Sequence, residues 1–130
     1  MKSLTRMLAA SLLVLALPFA ARAQASTGRT IVVKMVDKSA TKFAFEPATI
    51  QARPGDVIRF IQTGNNPHNV DFKSTPAGVE LGDLQTSAFL SAPGETLDIT
   101  IDKRFSAGTY RFNCMPHQAI GMHGVLKISK

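Results

Sequence analysis

The sequence predicts an all-β domain, a two-sheet sandwich of about eight short strands. Three observations predict it: apolar residues recur at every second position, the alternating segments are short, and Gly or Pro punctuates the joins. Ile31, Val33 and Met35 mark the first strand. Shorter pieces near Lys42–Phe45 and Thr49–Arg53 supply the next two. Val57–Gln62 follows, entered through the turn signal Arg53-Pro54-Gly55-Asp56. Val70 and Phe72 belong to another strand. Leu97, Ile99 and Ile101 alternate with Asp98, Thr100 and Asp102, the pattern of a strand with one wet face. Tyr110 with Phe112, and Leu126 with Ile128, complete the set, with joins at Pro93-Gly94, Gly108 and Gly124. One stretch, Ser74–Ala92, has no clean alternation. It reads as a long loop with at most a helical turn around Leu84–Leu90, and loops of that length are often functional.

The first residues stand apart from this pattern. Lys2 and Arg6 precede an apolar run, Leu8–Ala20, broken only by Ser11 and Pro18, and Ala21-Arg22-Ala23 follows as a small-x-small cleavage signal. Residues 1–23 therefore read as a secretory signal peptide and residues 24–130 as the domain, with cleavage after Ala25 the near alternative. The apolar run is short of the roughly 20 residues of a membrane-spanning helix. A periplasmic or secreted protein without stable membrane insertion is expected.

Removing Lys2, Arg6 and Arg22 takes away three positive charges and no acidic one, so the net charge falls from +6 to +3. The remaining basic residues are scattered and not interleaved with aromatics, which argues against a nucleic-acid partner. Cys114 is the single cysteine of a chain expected in an oxidising compartment. It is buried and inert, paired between chains, or a ligand.

Its neighbours favour the ligand. Side chains two apart on a strand face the same way, so His68 goes with Val70 and Phe72, and Cys114 with Tyr110 and Phe112. Met122 goes with Leu126 and Ile128 if the last strand begins by then. His117, three residues past Cys114, can fold back from the loop between the last two strands, where Pro116 and Gly121 supply bends. Two imidazoles, one thiolate and a weak thioether are the ligand set of a type 1 blue-copper electron-transfer site. The spacing Cys-x2-His-x4-Met with a Pro-His 46 residues upstream of the cysteine is far more specific than any one of its members. His123, adjacent to Met122, should face outward.

Asn66-Pro67-His68-Asn69-Val70 and Cys114-Met115-Pro116-His117-Gln118-Ala119-Ile120-Gly121-Met122 resemble the two copper-binding segments of plastocyanin and its bacterial relatives. Phe45-Glu46-Pro47 and Pro54-Gly55-Asp56 are similar to framework segments shared by plastocyanin and pseudoazurin. The resemblance, to a bacterial plastocyanin-like cupredoxin, covers about Ile31 to Lys130. It implies an eight-stranded Greek-key β-sandwich, cupredoxin-like, holding one copper. His68, Cys114 and His117 would be the strong ligands and Met122 the axial one. Asn69 would tie the first ligand segment to the cysteine loop. Where plant plastocyanins carry tyrosine before the cysteine, this chain has Asn113, and only Glu80 and Asp83 stand where their acidic clusters lie.

The expected function is one-electron transfer by copper cycling between Cu(I) and Cu(II), in a monomer that is not an enzyme. The alternative is a non-redox copper carrier or copper-resistance protein, which would need a releasable site. A thiol enzyme using Cys114 and His117 lacks an orienting third group, and an immunoglobulin-like module leaves the four ligands unexplained. Pro67, Met115, Pro116, Ala119 and Ile120 flank the ligand segments. An exposed apolar rim there would receive a redox partner (cytochrome, oxidase or reductase) beside His117.

Overall fold

Period-two apolar patterning becomes eight strands in a computed structural model that describes residues 28–130. The expected signal peptide, residues 1–23, lies outside the described residues. The strands are β1 (Thr30–Ser39), β2 (Lys42–Glu46), β3 (Thr49–Ala52), β4 (Val57–Gln62), β5 (Asp71–Ser74), β6 (Thr96–Thr100), β7 (Gly108–Asn113) and β8 (His123–Ile128). They form two four-stranded sheets, ordered β2-β1-β4-β6 and β3-β8-β7-β5, an arrangement consistent with a Greek-key sandwich. Ladders within each sheet are antiparallel except β1 with β4 and β3 with β8.

Alternation puts Val33 and Met35 of β1, Phe43 and Phe45 of β2, and Ile58 and Phe60 of β4 between the sheets. From the other sheet come Phe72, Tyr110, Phe112, Leu126 and Ile128. Phe45, Phe60 and Phe112 meet edge to face, with centroids 4.9 to 5.9 Å apart, and so bind the two sheets through one aromatic cluster.

Ser74–Ala92 is more than a loop. Its helical turn is a short 3-10 segment at Gly82–Leu84, earlier than expected, because the residues after it run extended along the chain that leads into β5. The Leu90 and His68 backbones bond reciprocally, at 2.8 and 3.0 Å, and Ser87 bonds to Val70 through both its backbone N–H and its hydroxyl. Thr86 bridges to Asp71. This irregular edge covers the outer face of residues 68–71. That is why Asn69 and Asp71 are buried along with His68 and Val70, where simple alternation would leave them wet.

Candidate metal centre

Three chain segments end at one tip of the sandwich. His68 sits in the extended approach to β5, held by its two backbone bonds to Leu90. Cys114 is the first residue past β7, so the alternation that buries Tyr110 and Phe112 buries its thiol as well. A 3-10 helix, Met115–Ile120, then turns the chain back over the tip with Pro116 in its first turn. It closes on Gly121 at φ 91°, a left-handed conformation that glycine adopts without strain. Met122 follows immediately, fully buried, just before β8.

The donors converge. His117 Nδ1 lies 3.4 Å from Cys114 Sγ and 3.1 Å from His68 Nδ1, and His68 Nδ1 lies 3.6 Å from the sulfur. Cys114 and His68 are inaccessible, whereas His117 keeps an exposed edge. Met122 is brought alongside by its backbone: its carbonyl accepts the Cys114 N–H at 3.1 Å, and its N–H donates to the His117 carbonyl at 3.2 Å. His123 faces solvent, as its parity requires.

Burial pushes the Cys114 thiol above its ordinary pKa, with the backbone N–H groups of Asn69 and His117 pulling it partly back. Burial, then the neighbouring His68, lowers His117, which favours the ring form with a lone pair to donate. A shielded thiol beside two imidazole nitrogens is a donor set that fits copper. The amide of Asn69 accepts the Met115 N–H at 2.9 Å and so ties the His68 segment to the cysteine loop.

Two contacts escaped the sequence reading, and both come from the β1–β2 hairpin. Phe43 stacks on the His117 ring, centroids 3.9 Å apart and planes 28° apart. Asp37, its cross-strand partner, presents Oδ1 to His68 Nε2 at 2.7 Å. The available signal was parity: Asp37 continues the inward series Val33, Met35, where an acid is out of place. Phe89 was missed too, and nothing in an irregular segment singles it out.

Residues 31–129 match the copper binding proteins of the plastocyanin/azurin family. The chain belongs to that family. It is 41% identical to plastocyanin of Ginkgo biloba over 95 residues, 70% of this chain and 93% of the relative. Plastocyanin of Prochlorothrix hollandica is 33% identical over 127 residues, 97% of this chain and 88% of its own. A solved Sinorhizobium pseudoazurin superposes with a TM-score of 0.56 at 30% identity, covering 78% of this chain and 75% of that one. The fold is thus that of the cupredoxins, the cofactor is copper, and the protein is a blue-copper electron-transfer protein of the plastocyanin type.

Around the tip, Met115 and Ile120 are exposed, at 44% and 49%, and Pro67, Pro116 and Ala119 are exposed with them. Phe89, 50% exposed, joins Pro67, Ser91, Pro116 and His117 around a shallow hollow of about 420 Å³. The expected rim is therefore on the surface and not folded over the donors. No helix among the described residues is long and apolar enough to cross a membrane.

Proposed function

We propose that His68, Cys114 and His117 are the strong copper ligands, with Met122 axial. The protein then ferries single electrons outside the cytoplasm between protein partners that dock beside His117. In this reading residues 1–23 are a secretory signal peptide and residues 24–130 the working domain, acting as a monomer. The observation that carries it is the convergence of a fully buried thiol with two imidazole nitrogens within 3.6 Å.

Bound among these donors, copper supplies a one-electron couple between Cu(I) and Cu(II). The chain's own residues keep those donors still. His68 is held through its backbone by Leu90, and His117 is stacked against Phe43. The cysteine loop is pinned by Asn69. A site that moves little needs little reorganisation when an electron arrives, and burial of Cys114 and His68 keeps water away from the sulfur. His117 alone among the three reaches the surface, so its edge offers the short path out. The apolar rim of Pro67, Phe89, Met115, Pro116 and Ile120 suits a partner that docks briefly with little charge to desolvate.

The test is the visible spectrum and redox titration of the copper-loaded protein. One copper per chain, an intense thiolate-to-copper charge-transfer band and a reversible one-electron couple are expected. A colourless copper adduct rejects the ligand assignment. A blue protein that hands its copper to an acceptor without redox cycling supports a copper carrier instead.

A further inference from the structure

Behind His68, on the side away from the thiol, lies an acid the ligand set does not use. Asp37 gathers four donors. Oδ1 faces His68 Nε2 at 2.7 Å, while Oδ2 accepts the backbone N–H groups of Asn65 and Asn66 at 3.0 and 3.1 Å and the Asn66 side-chain amide at 2.8 Å. An ionised carboxylate has no proton to give, so His68 Nε2 must carry the shared one. In the neutral ring that a metal ligand must be, the lone pair is then on Nδ1, the nitrogen 3.6 Å from Cys114 Sγ. The His68 side chain is fully buried and that of Asp37 is 17% exposed, so solvent screens their contact only in part. The surroundings are shaped to keep the carboxylate there: a Cβ on Gly64 would collide with it.

We propose that Asp37 is a positioning residue of the copper centre. It fixes which nitrogen of His68 faces the metal, and its hydrogen bond and negative charge favour Cu(II) and so lower the reduction potential. The inference rests on His68 being a ligand. A carboxylate that accepts the far N–H of a ligating imidazole orients the ring and makes the near nitrogen a stronger base. The more positive oxidation state gains most from both effects. An Asp37 that merely clips the Asn65–Asn66 turn would alter folding stability and leave the potential alone.

The experiment compares wild type, Asp37→Asn and Gly64→Ala after copper loading. Asparagine removes the charge and keeps one carbonyl oxygen, which serves either the turn or Nε2–H but not both, and alanine at 64 displaces the carboxylate without changing it. Both variants should stay blue, with the balance between Cu(I) and Cu(II) moved towards Cu(I) by roughly tenfold, a rise of about 59 mV for a one-electron couple. Blue variants with unchanged potentials overturn the role of Asp37, whereas a wild type that is not blue overturns the ligand assignment of His68 itself. Nitrogen-15 NMR of the Cu(I)-loaded wild type gives a readout that needs no variant to fold. His68 Nε2 should be protonated, with a slowly exchanging proton, and a deprotonated Nε2 would reject the proposal.

Discussion

Opposite ends of β1 each hold a half-hidden or buried carboxylate, and the two do different work. Near its start, Asp56 accepts the guanidinium and the backbone N–H of Arg29 and the N–H of Arg53, each at 2.9 Å. The Arg29 side-chain hydrogen bond comes first among the causes that hold its pKa down to about 2. Near the end of β1, burial alone would raise Asp37. The hydrogen bonds from Asn66, His68 and Asn65 outweigh that and bring it also to about 2. The chemistry of the acceptor is the same, but the partners differ. A permanently charged arginine lets Asp56 close a turn and stabilise the fold. An imidazole whose other nitrogen faces a thiol lets Asp37 act on whatever that nitrogen binds. A buried carboxylate is structural or functional according to what its donor does on its far side.

This contrast is broken most severely by removing the metal end's sulfur. Cys114→Ser should abolish the blue band completely while the far-UV circular dichroism of the sandwich persists, since serine adds no bulk at a buried site that two backbone bonds already frame. A band that survived would place the colour elsewhere. Weak metal binding through His68 and His117 is compatible with this outcome.

At the other end the effects should be reversed. Asp56→Asn should leave the spectrum and the potential unchanged and cost about 2 kcal/mol of stability at pH 7, measured by denaturant unfolding. The sign follows from the lowered pKa. Asp56 stabilises the fold above its unfolded-state pKa near 4, and that contribution is lost as the pH falls through about 4 towards 2. Wild type and variant should therefore differ most at neutral pH and converge near pH 2. A constant difference down to pH 2 would contradict ionic stabilisation at this site.

Met122 sharpens the comparison within the metal end. Met122→Gln should lower the potential, because a harder oxygen donor prefers Cu(II), and Met122→Leu should raise it. Each shift should be roughly tenfold in preference, about 59 mV, by voltammetry. Equal potentials in both would make Met122 a packing residue only.

The smallest effect belongs to the rim. Ile120→Lys should keep band and potential and slow second-order electron exchange with a cytochrome partner a few-fold, because the ammonium must lose water at contact. Stopped-flow rates at high salt, where long-range charge effects are screened, make the measurement. Unchanged rates would move the docking face away from Ile120, towards the Ser74–Ala92 segment.

What the sequence alone determined is local. Period-two apolar spacing put Tyr110, Phe112 and Cys114 on one face, because side-chain direction in a strand is set by parity. Nine consecutive residues spelled out Cys-x2-His-x4-Met, because one tight loop must bring those donors together. Only the tertiary structure decided that Thr86–Leu90 runs along residues 68–71 as an edge, burying Asn69 and Asp71 against alternation. It also decided that Asp37 and Phe43 reach the two histidines. Asp37 lies 31 residues from His68 in the chain, and no periodicity couples residues so far apart. Their meeting depends on how the β1–β2 hairpin of one sheet leans over the end of the other, a choice made by core packing between the sheets and written in no single segment.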